Sequence, residues 1–235
     1  MKPENRSMWL RIVAEGLAIV VSILLAFAIQ AWWEGRRDRA DERIALEGLR
    51  HEFAENLTQL DRGAAVHEKT VRMNERLLSL SRADSLDSNP VAMDSLVRRA
   101  WIDFGTFNPR EGVLTALVAS GDIGLIRNAQ LREAIGAWSG MLEDLVEEEL
   151  MIARDSQERW TPAIHARIPL DYVYAVGGNR VAEGRRPDYR VLLGDPLLEN
   201  YLLGRIDNTR YVLADYAELR ILIEEIIELA DGSLR

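Results

Sequence analysis

The sequence predicts an all-α protein: an N-terminal transmembrane helix that continues into an antiparallel helical bundle. Three observations carry this. Eighteen uncharged residues run from Gly16 to Trp33 between two glutamates. Further on, apolar residues recur every three or four positions over several long stretches, the period of helices with one buried face. Clusters of Pro, Gly, Asn and Asp separate these stretches and supply helix starts and stops.

The apolar run comes first. At about 1.5 Å per residue it covers roughly 27 Å. Taken back to Ile12 it matches the roughly 30 Å of a hydrocarbon core. The chain therefore divides into a tail over 1–11, a span over 12–33 and a bundle domain over 34–235. Only Ser22 and Gln30 are polar inside the run, and Trp9 and Trp32-Trp33 stand where amphipathic rings favour the headgroup level. Glu15 follows Arg11 by one turn and pairs with it at that spacing. Two alternatives stay open. Lys2, Arg6 and Arg11 before the run and Ala26-Phe27-Ala28 within it have the form of a cleaved signal peptide, although the apolar run continues past that site. A core helix of a soluble protein is the other, although a helix apolar on every face is long for a small domain.

Inside the run Ala14, Ala18, Ser22, Ala26 and Gln30 recur every fourth residue. Small residues let two helices approach in lipid, and Ser or Gln hydrogen-bonds across the contact. The row drifts around the helix, so about three of its members face one partner copy. Arg36, Arg37, Arg39, Arg43 and Arg50 follow the span and favour a cytoplasmic body. The short basic N-terminal tail resists translocation equally, so the side of the body stays open.

The body reads as follows. One long helix spans Asp38 to Ser81, with Leu46, Leu49, Phe53, Leu57, Leu60, Ala64, His67 and Val71 as its stripe. Arg43, Glu47, Arg50, Glu52 and Glu55 lie between as surface charges, and Gly63 loosens the middle. "RADSLDSNPVA" ends it. Asn89-Pro90 opens a helix to about Asp103. Asn108-Pro109 opens another, with Glu111 completing a capping box, and Ser120-Gly121 closes it through a left-handed glycine. Asn128 opens a longer helix with Leu131, Ile135, Trp138, Leu142 and Leu145 on one face. Residues 168–195 form an extended loop with a short strand over Asp171–Val176. Pro196 starts the last helix, with Leu198, Leu202, Thr209, Leu213, Tyr216, Ile223 and Ile227 near one face. The first and last long helices pack together.

"EGLAIVVSILLAFAIQAWWEGRRDR" followed by "EGLRHEFAENL" resembles a bacterial family of single-pass membrane proteins whose helical body is a domain of unknown function. "FNPREGVLTALVASGDIGLIRNAQLREAIGAW", Phe107 to Trp138, is similar to that family's middle segment. The two stretches cover about a third of the chain. Trp32-Trp33-Glu34 departs from the asparagine-rich form common there. The resemblance implies a membrane placement and a helical fold, and no mechanism.

Composition narrows the chemistry. The net charge of −9 argues against a nucleic-acid partner. The chain has no cysteine, which removes disulfides, thiolate metal sites and thiol nucleophiles. His51, His67 and His165 are too dispersed for one metal site, and His51 with Glu55 reads as a solvated pair one turn apart. Glu143, Asp144, Glu147, Glu148 and Glu149 read as a solvated face. "GGNRVAEG" lacks the lysine and spacing of a phosphate loop. Ser120-Gly121-Asp122 reads as a turn, not a nucleophile. The sequence thus assigns no catalytic, cofactor-binding or metal-ligating residue, and the chain is not read as an enzyme.

"SGDIGLIRN", Ser120 to Asn128, reads as a buried connector. Gly121 and Gly124 permit close approach, Ile123, Leu125 and Ile126 plug the core, and Arg127 pairs with the last helix. The expected function is a membrane-anchored scaffold or interaction module in the bacterial inner membrane, self-associating through the Ala14–Gln30 ridge. Its partners are the lipid bilayer and an unidentified protein. The alternative is a periplasmic ligand-sensing bundle working through a partner protein. Its hinge would be the 168–195 loop, and its pocket would lie between the first, fourth and last helices.

Overall fold

The computed structural model describes residues 3–83, 89–101, 105–176, 178 and 181–235, with backbone alone for 3–14. Seven α-helices occur in these residues: α1 (Pro3–Arg82), α2 (Pro90–Trp101), α3 (Gly112–Ser120), α4 (Ala129–Asp155), α5 (Thr161–His165), α6 (Asp171–Ala175) and α7 (Pro196–Leu234). The fold is all-α, with no strand among the described residues. The side chains of Lys2, Arg6, Trp9, Arg11 and Ala14 lie outside the described set. So do Asp84 to Ser88 of the expected turn, the helix end at Asp103, and Gly177, Asn179 and Arg180 of the glycine-rich segment.

α1 is a single helix of 80 residues, about 120 Å long. No break separates the apolar run from the charged body segment. The stripe falls where its spacing put it: Leu46, Leu49, Phe53, Leu60, His67 and Val71 are buried, and Leu57 and Ala64 are half-buried. Gly63 does not loosen the helix. A Cβ at this position would stand 2.6 Å from the Tyr216 hydroxyl, so glycine here is what lets α7 approach.

α7 lies antiparallel along α1, and four ion pairs mark the register. Arg50 meets Asp231 at 3.3 Å, Asp61 meets Arg220 at 3.0 Å, and Glu75 meets Arg210 at 2.7 Å. Arg82 meets Glu199 at 2.7 Å. Such exposed pairs contribute about 0–1 kcal/mol each. A fully buried Leu or Phe side chain contributes about 1.5–3 kcal/mol. The apolar stripes therefore hold the helices together, and the charges select the register.

The interior has two apolar sectors. Nearer the apolar run, Phe53, Phe107, Leu131, Trp138, Leu145, Val212 and Ile223 pack together, with the Phe53 and Trp138 rings edge to face at 5.0 Å. In the far sector Leu77, Val97, Trp101, Ile164, Val173, Leu192 and Leu198 do the same.

Helix ends follow local side-chain chemistry. Asn89 accepts from Val91 N at 3.0 Å, Asn128 from Leu131 N at 3.2 Å and Asp195 from Leu197 N at 2.9 Å. Gly121 closes α3 at φ 80°. The expected capping box at Asn108 does not form. α3 begins at Gly112, and the Asn108 side chain donates to the Thr106 hydroxyl instead. The expected strand is also absent, because Asp171–Ala175 is a helical turn that buries Val173. Its Asp171 carboxylate accepts from Glu183 N and Gly184 N at 2.6 and 2.7 Å. Those bonds fold the segment back on itself, an option that extended pairing would remove.

Candidate functional site

Two regions stand out: the exposed face of the apolar run and a buried polar layer between the two sectors. Among the described residues one helix, near the N-terminus, is long and apolar enough to cross a membrane. None of its apolar window is buried within the chain. Leu17, Phe27 and Trp33 are each about two-thirds exposed, at 65%, 65% and 64%. Water is a poor solvent for so much contiguous apolar surface. Within the ridge the Ser22 hydroxyl donates to the Ala18 carbonyl at 2.8 Å, and Gln30 donates to Glu34 at 2.9 Å.

The buried layer is built by α1, α4 and α7. Both oxygens of Glu149 accept from Phe107 N at 3.1 Å, and Oε1 accepts from the Tyr216 hydroxyl at 2.6 Å. His67 Nε2 lies 3.7 Å from the same carboxylate, and the His67 and Tyr216 rings meet edge to face. Burial, reinforced by the Glu149 hydrogen bond, pushes the Tyr216 phenol well above its ordinary range. Glu149 therefore sits in the core and not on the solvated face expected of the acidic run, while Glu143, Asp144 and Glu147 are exposed. Its phase gives it away: it falls four residues after buried Leu145 and three before buried Ile152.

Glu52 behaves in the same manner. Instead of lying on the surface it is buried, and accepts from Val113 N at 2.7 Å and Leu114 N at 3.0 Å. It thereby caps α3 from another helix. Asn56, one turn on, both accepts from Arg110 N and donates to Arg110 O at 2.8 Å. Glu111 accepts from the Trp138 indole at 2.8 Å. The strap from Gly105 to Gly112 is thus held by side chains of α1 and α4, which satisfies backbone groups that burial would otherwise leave unpaired.

A third buried carboxylate, Asp94 of α2, accepts from the Tyr189 hydroxyl at 2.5 Å and from Arg186 at 3.1 Å. Burial and the Asp94 bond push the Tyr189 phenol up as well. Arg186 also lies over the Tyr172 ring, 4.4 Å from its centroid. The Asp94 contacts tie the 168–195 segment to α2, and the Arg167–Asp195 pair at 2.7 Å brings its two ends together.

The connector comes out partly as expected. Ile126 is fully buried, whereas Ile123 and Leu125 are half-buried. Gly121 and Gly124 face open space, so the positive φ of Gly121 is a backbone requirement and not a close approach. Arg127 pairs with Glu42 of α1 at 3.5 Å, not with the last helix. His51 and Glu55 form the expected exposed pair at 3.6 Å.

No group of His, Asp and Glu among the described residues has a metal-binding arrangement. His67, Glu149 and Tyr216 are closed off from solvent, and the Glu149 carboxylate is already spoken for by Phe107 and Tyr216. Their chemistry is that of a core network. Four buried polar atoms have no hydrogen-bond partner among the described residues: His67 Nε2, Asn74 Oδ1, Tyr201 hydroxyl and Arg205 Nε. The space between α1, α4 and α7 is otherwise filled by Phe53, Phe107, Trp138 and Tyr216. No protein-family model, curated protein or solved structure matches this chain.

Proposed function

We propose that the chain is a single-pass protein of the bacterial inner membrane whose helical body is a scaffold or interaction module and which self-associates. The observation that carries this is the continuity of α1. An apolar run with none of its window buried passes without a break into the stripe that organises the bundle. A core helix would bury that run against its own chain. A cleaved leader would be severed inside a helix that continues into the body. The ridge residues Ser22, Ala26 and Gln30 are exposed on the run and available to a second copy.

The expressed chain should stay with the membrane fraction after an alkaline carbonate wash, and release into the supernatant overturns the anchor. Removal of residues 1–35 should give a soluble, fully helical domain. Reporters fused after Arg39 and after Arg235 then assign the side of the body.

A second reading, a periplasmic ligand-sensing bundle acting through a partner protein, draws on the four buried polar atoms that have no hydrogen-bond partner among the described residues. Buried polar groups without partners are costly, and a small polar ligand would relieve that cost. A ligand that prefers the native state raises its stability, so a screen of ions and small molecules with no thermal shift removes this reading.

A further inference from the structure

Beyond the run, α1 and α3 leave a groove of about 500 Å³ between them, lined by Asp41, Ile44 and Gly48 on one side and Val113, Ala116 and Leu117 on the other. Ile44 is 69% exposed although it is a large apolar residue beside a core. Val118, on the neighbouring helix α3, is 58% exposed. Asp122 stands at the groove end and has no ion pair among the described residues. The groove begins about 12–16 Å beyond Trp33 on the helix axis.

The face of α1 that borders this groove is continuous with the ridge face. Ile23, Gln30, Arg37 and Ile44 repeat every seven residues, and so do Ala26, Trp33, Ala40 and Glu47. These are the two central positions of a helix pair. The flanking positions differ in sign. On one flank Arg36 and Arg43 follow Ser22 and Ile29; on the other Glu34, Asp41 and Gly48 follow Phe27. In a parallel pair the first flank of one copy meets the second flank of the other five residues further on. That register sets Arg36 against Asp41. Arg36 has no carboxylate partner within the described chain and only lies over the Trp32 ring at 5.7 Å. Among the described residues Asp41 pairs only with Arg37, at 3.7 Å. Arg37 itself takes a central position, where a polar residue costs stability and fixes register.

We propose that the groove between α1 and α3 receives α1 of a second copy, in a parallel pair that runs unbroken from Ser22 through Ile44, with Arg36 of each copy against Asp41 of the other. This rests on the self-association reading above and specifies its geometry. The charges choose this occupant over a lipid surface. Asp41 and Asp122 at the groove repel anionic headgroups and attract the Arg36 and Arg43 flank. The rigidity of α1 does the rest, because a copy packed along Ala26 and Gln30 is carried by the same helix to Ile44.

The chain has no cysteine, so single-cysteine variants of the full chain in anionic lipid vesicles report the contact directly. Under mild oxidation Ala26→Cys, Ala40→Cys and Ile44→Cys should form disulfide-linked dimers, whereas Glu68→Cys should not. Cross-linking at Ala26→Cys but not at Ala40→Cys or Ile44→Cys overturns the groove geometry and leaves self-association standing. No cross-linking anywhere, with a monomer by light scattering, overturns both. A fluorophore on Ile44→Cys that is quenched by spin-labelled lipid puts lipid in the groove and overturns the proposal. Arg36→Asp or Asp41→Arg alone should weaken the dimer about threefold to tenfold, the scale of two partly screened pairs. The combined swap Arg36→Asp with Asp41→Arg should restore it. Single reversals that leave the dimer fraction unchanged overturn the pairing.

Discussion

Gly63 of α1 and Tyr216 of α7 meet so closely that no side chain fits between them. A Cβ on residue 63 would lie 2.6 Å from the phenol oxygen and 2.8 Å from a ring carbon. The phenol has little room to give, since it is 2% exposed and hydrogen-bonded to Glu149. The glycine in the middle of an 80-residue helix is therefore a packing residue.

Gly63→Ala should destabilise the bundle. Alanine gains up to about 1 kcal/mol of helix propensity over glycine, but overpacking a filled core costs about 1–3 kcal/mol, and the clash outweighs the gain. Gly140 of α4 faces open space, so Gly140→Ala should stabilise by about 0.5–1 kcal/mol. Thermal melts of the two variants beside the parent chain should shift in opposite directions. A shared upward shift would show that α7 moves away at no cost.

Glu52→Ala should cost about 1–3 kcal/mol by leaving the N–H groups of Val113 and Leu114 buried without an acceptor. Glu52→Gln should be milder, because one amide oxygen replaces two carboxylate oxygens. Glu143→Gln, on the exposed face, should change little. Denaturant unfolding distinguishes these outcomes. Equal midpoints for Glu52→Ala and Glu143→Gln would show that α3 needs no cap from α1.

Alkaline pH should weaken the fold through three buried tyrosines. Burial pushes Tyr201 up to about 12 and raises Tyr189 and Tyr216 further. The unfolded chain titrates its tyrosines near 10. Above that pH the unfolded state has lost protons that the native state retains, so stability falls as pH rises. The stabilisation is fully present below about pH 10 and is lost progressively above it. Each retained proton contributes a slope of at most about 1.4 kcal/mol per pH unit. Tyr216→Phe should flatten the decline measured between pH 9.5 and 11, the range set by those values. An unchanged slope would mean that Tyr216 ionises as easily in the native state as in the unfolded chain.

The elements that the sequence made legible are those decided within a turn of chain. Asn89-Pro90, Gly121 and Asn128 set helix ends through bonds to backbone groups two or three residues away, and Pro196 marks the start of α7. The long stripes were legible because one period repeats over many turns. Glu149 showed only its phase on the buried stripe, and the acceptor roles of Glu52 and Glu149 were hidden because they depend on backbone N–H groups 61 and 42 residues distant. A carboxylate between apolar neighbours reads as solvated until the strap it holds is in place. The strand expected over Asp171–Val176 was misread for the same reason. Val173 and Tyr189 are ordered by α2, including Asp94, and no local pattern announces that contact. Likewise, nothing near Gly63 announces Tyr216.

The connector supplies the last test. Gly121 holds φ 80°, a left-handed conformation in which a β-branched residue is strained, so Gly121→Val should cost about 1–3 kcal/mol. Ile126 is 0% exposed. A carboxylate there has no partner, and Ile126→Asp should destabilise by at least about 3 kcal/mol through lost burial and desolvation. Ile123→Asp should cost less, because that side chain is half in solvent. Glu148→Gln serves as the control and should leave the melting temperature alone. The order Ile126→Asp, Gly121→Val, Ile123→Asp, Glu148→Gln in falling severity would make "SGDIGLIRN" a structural hinge between α3 and α4. If the first two leave the melting temperature untouched while dimer cross-linking disappears, the segment is instead an exposed recognition loop. In that case Ile126 contributes its apolar surface to a partner and not to the core.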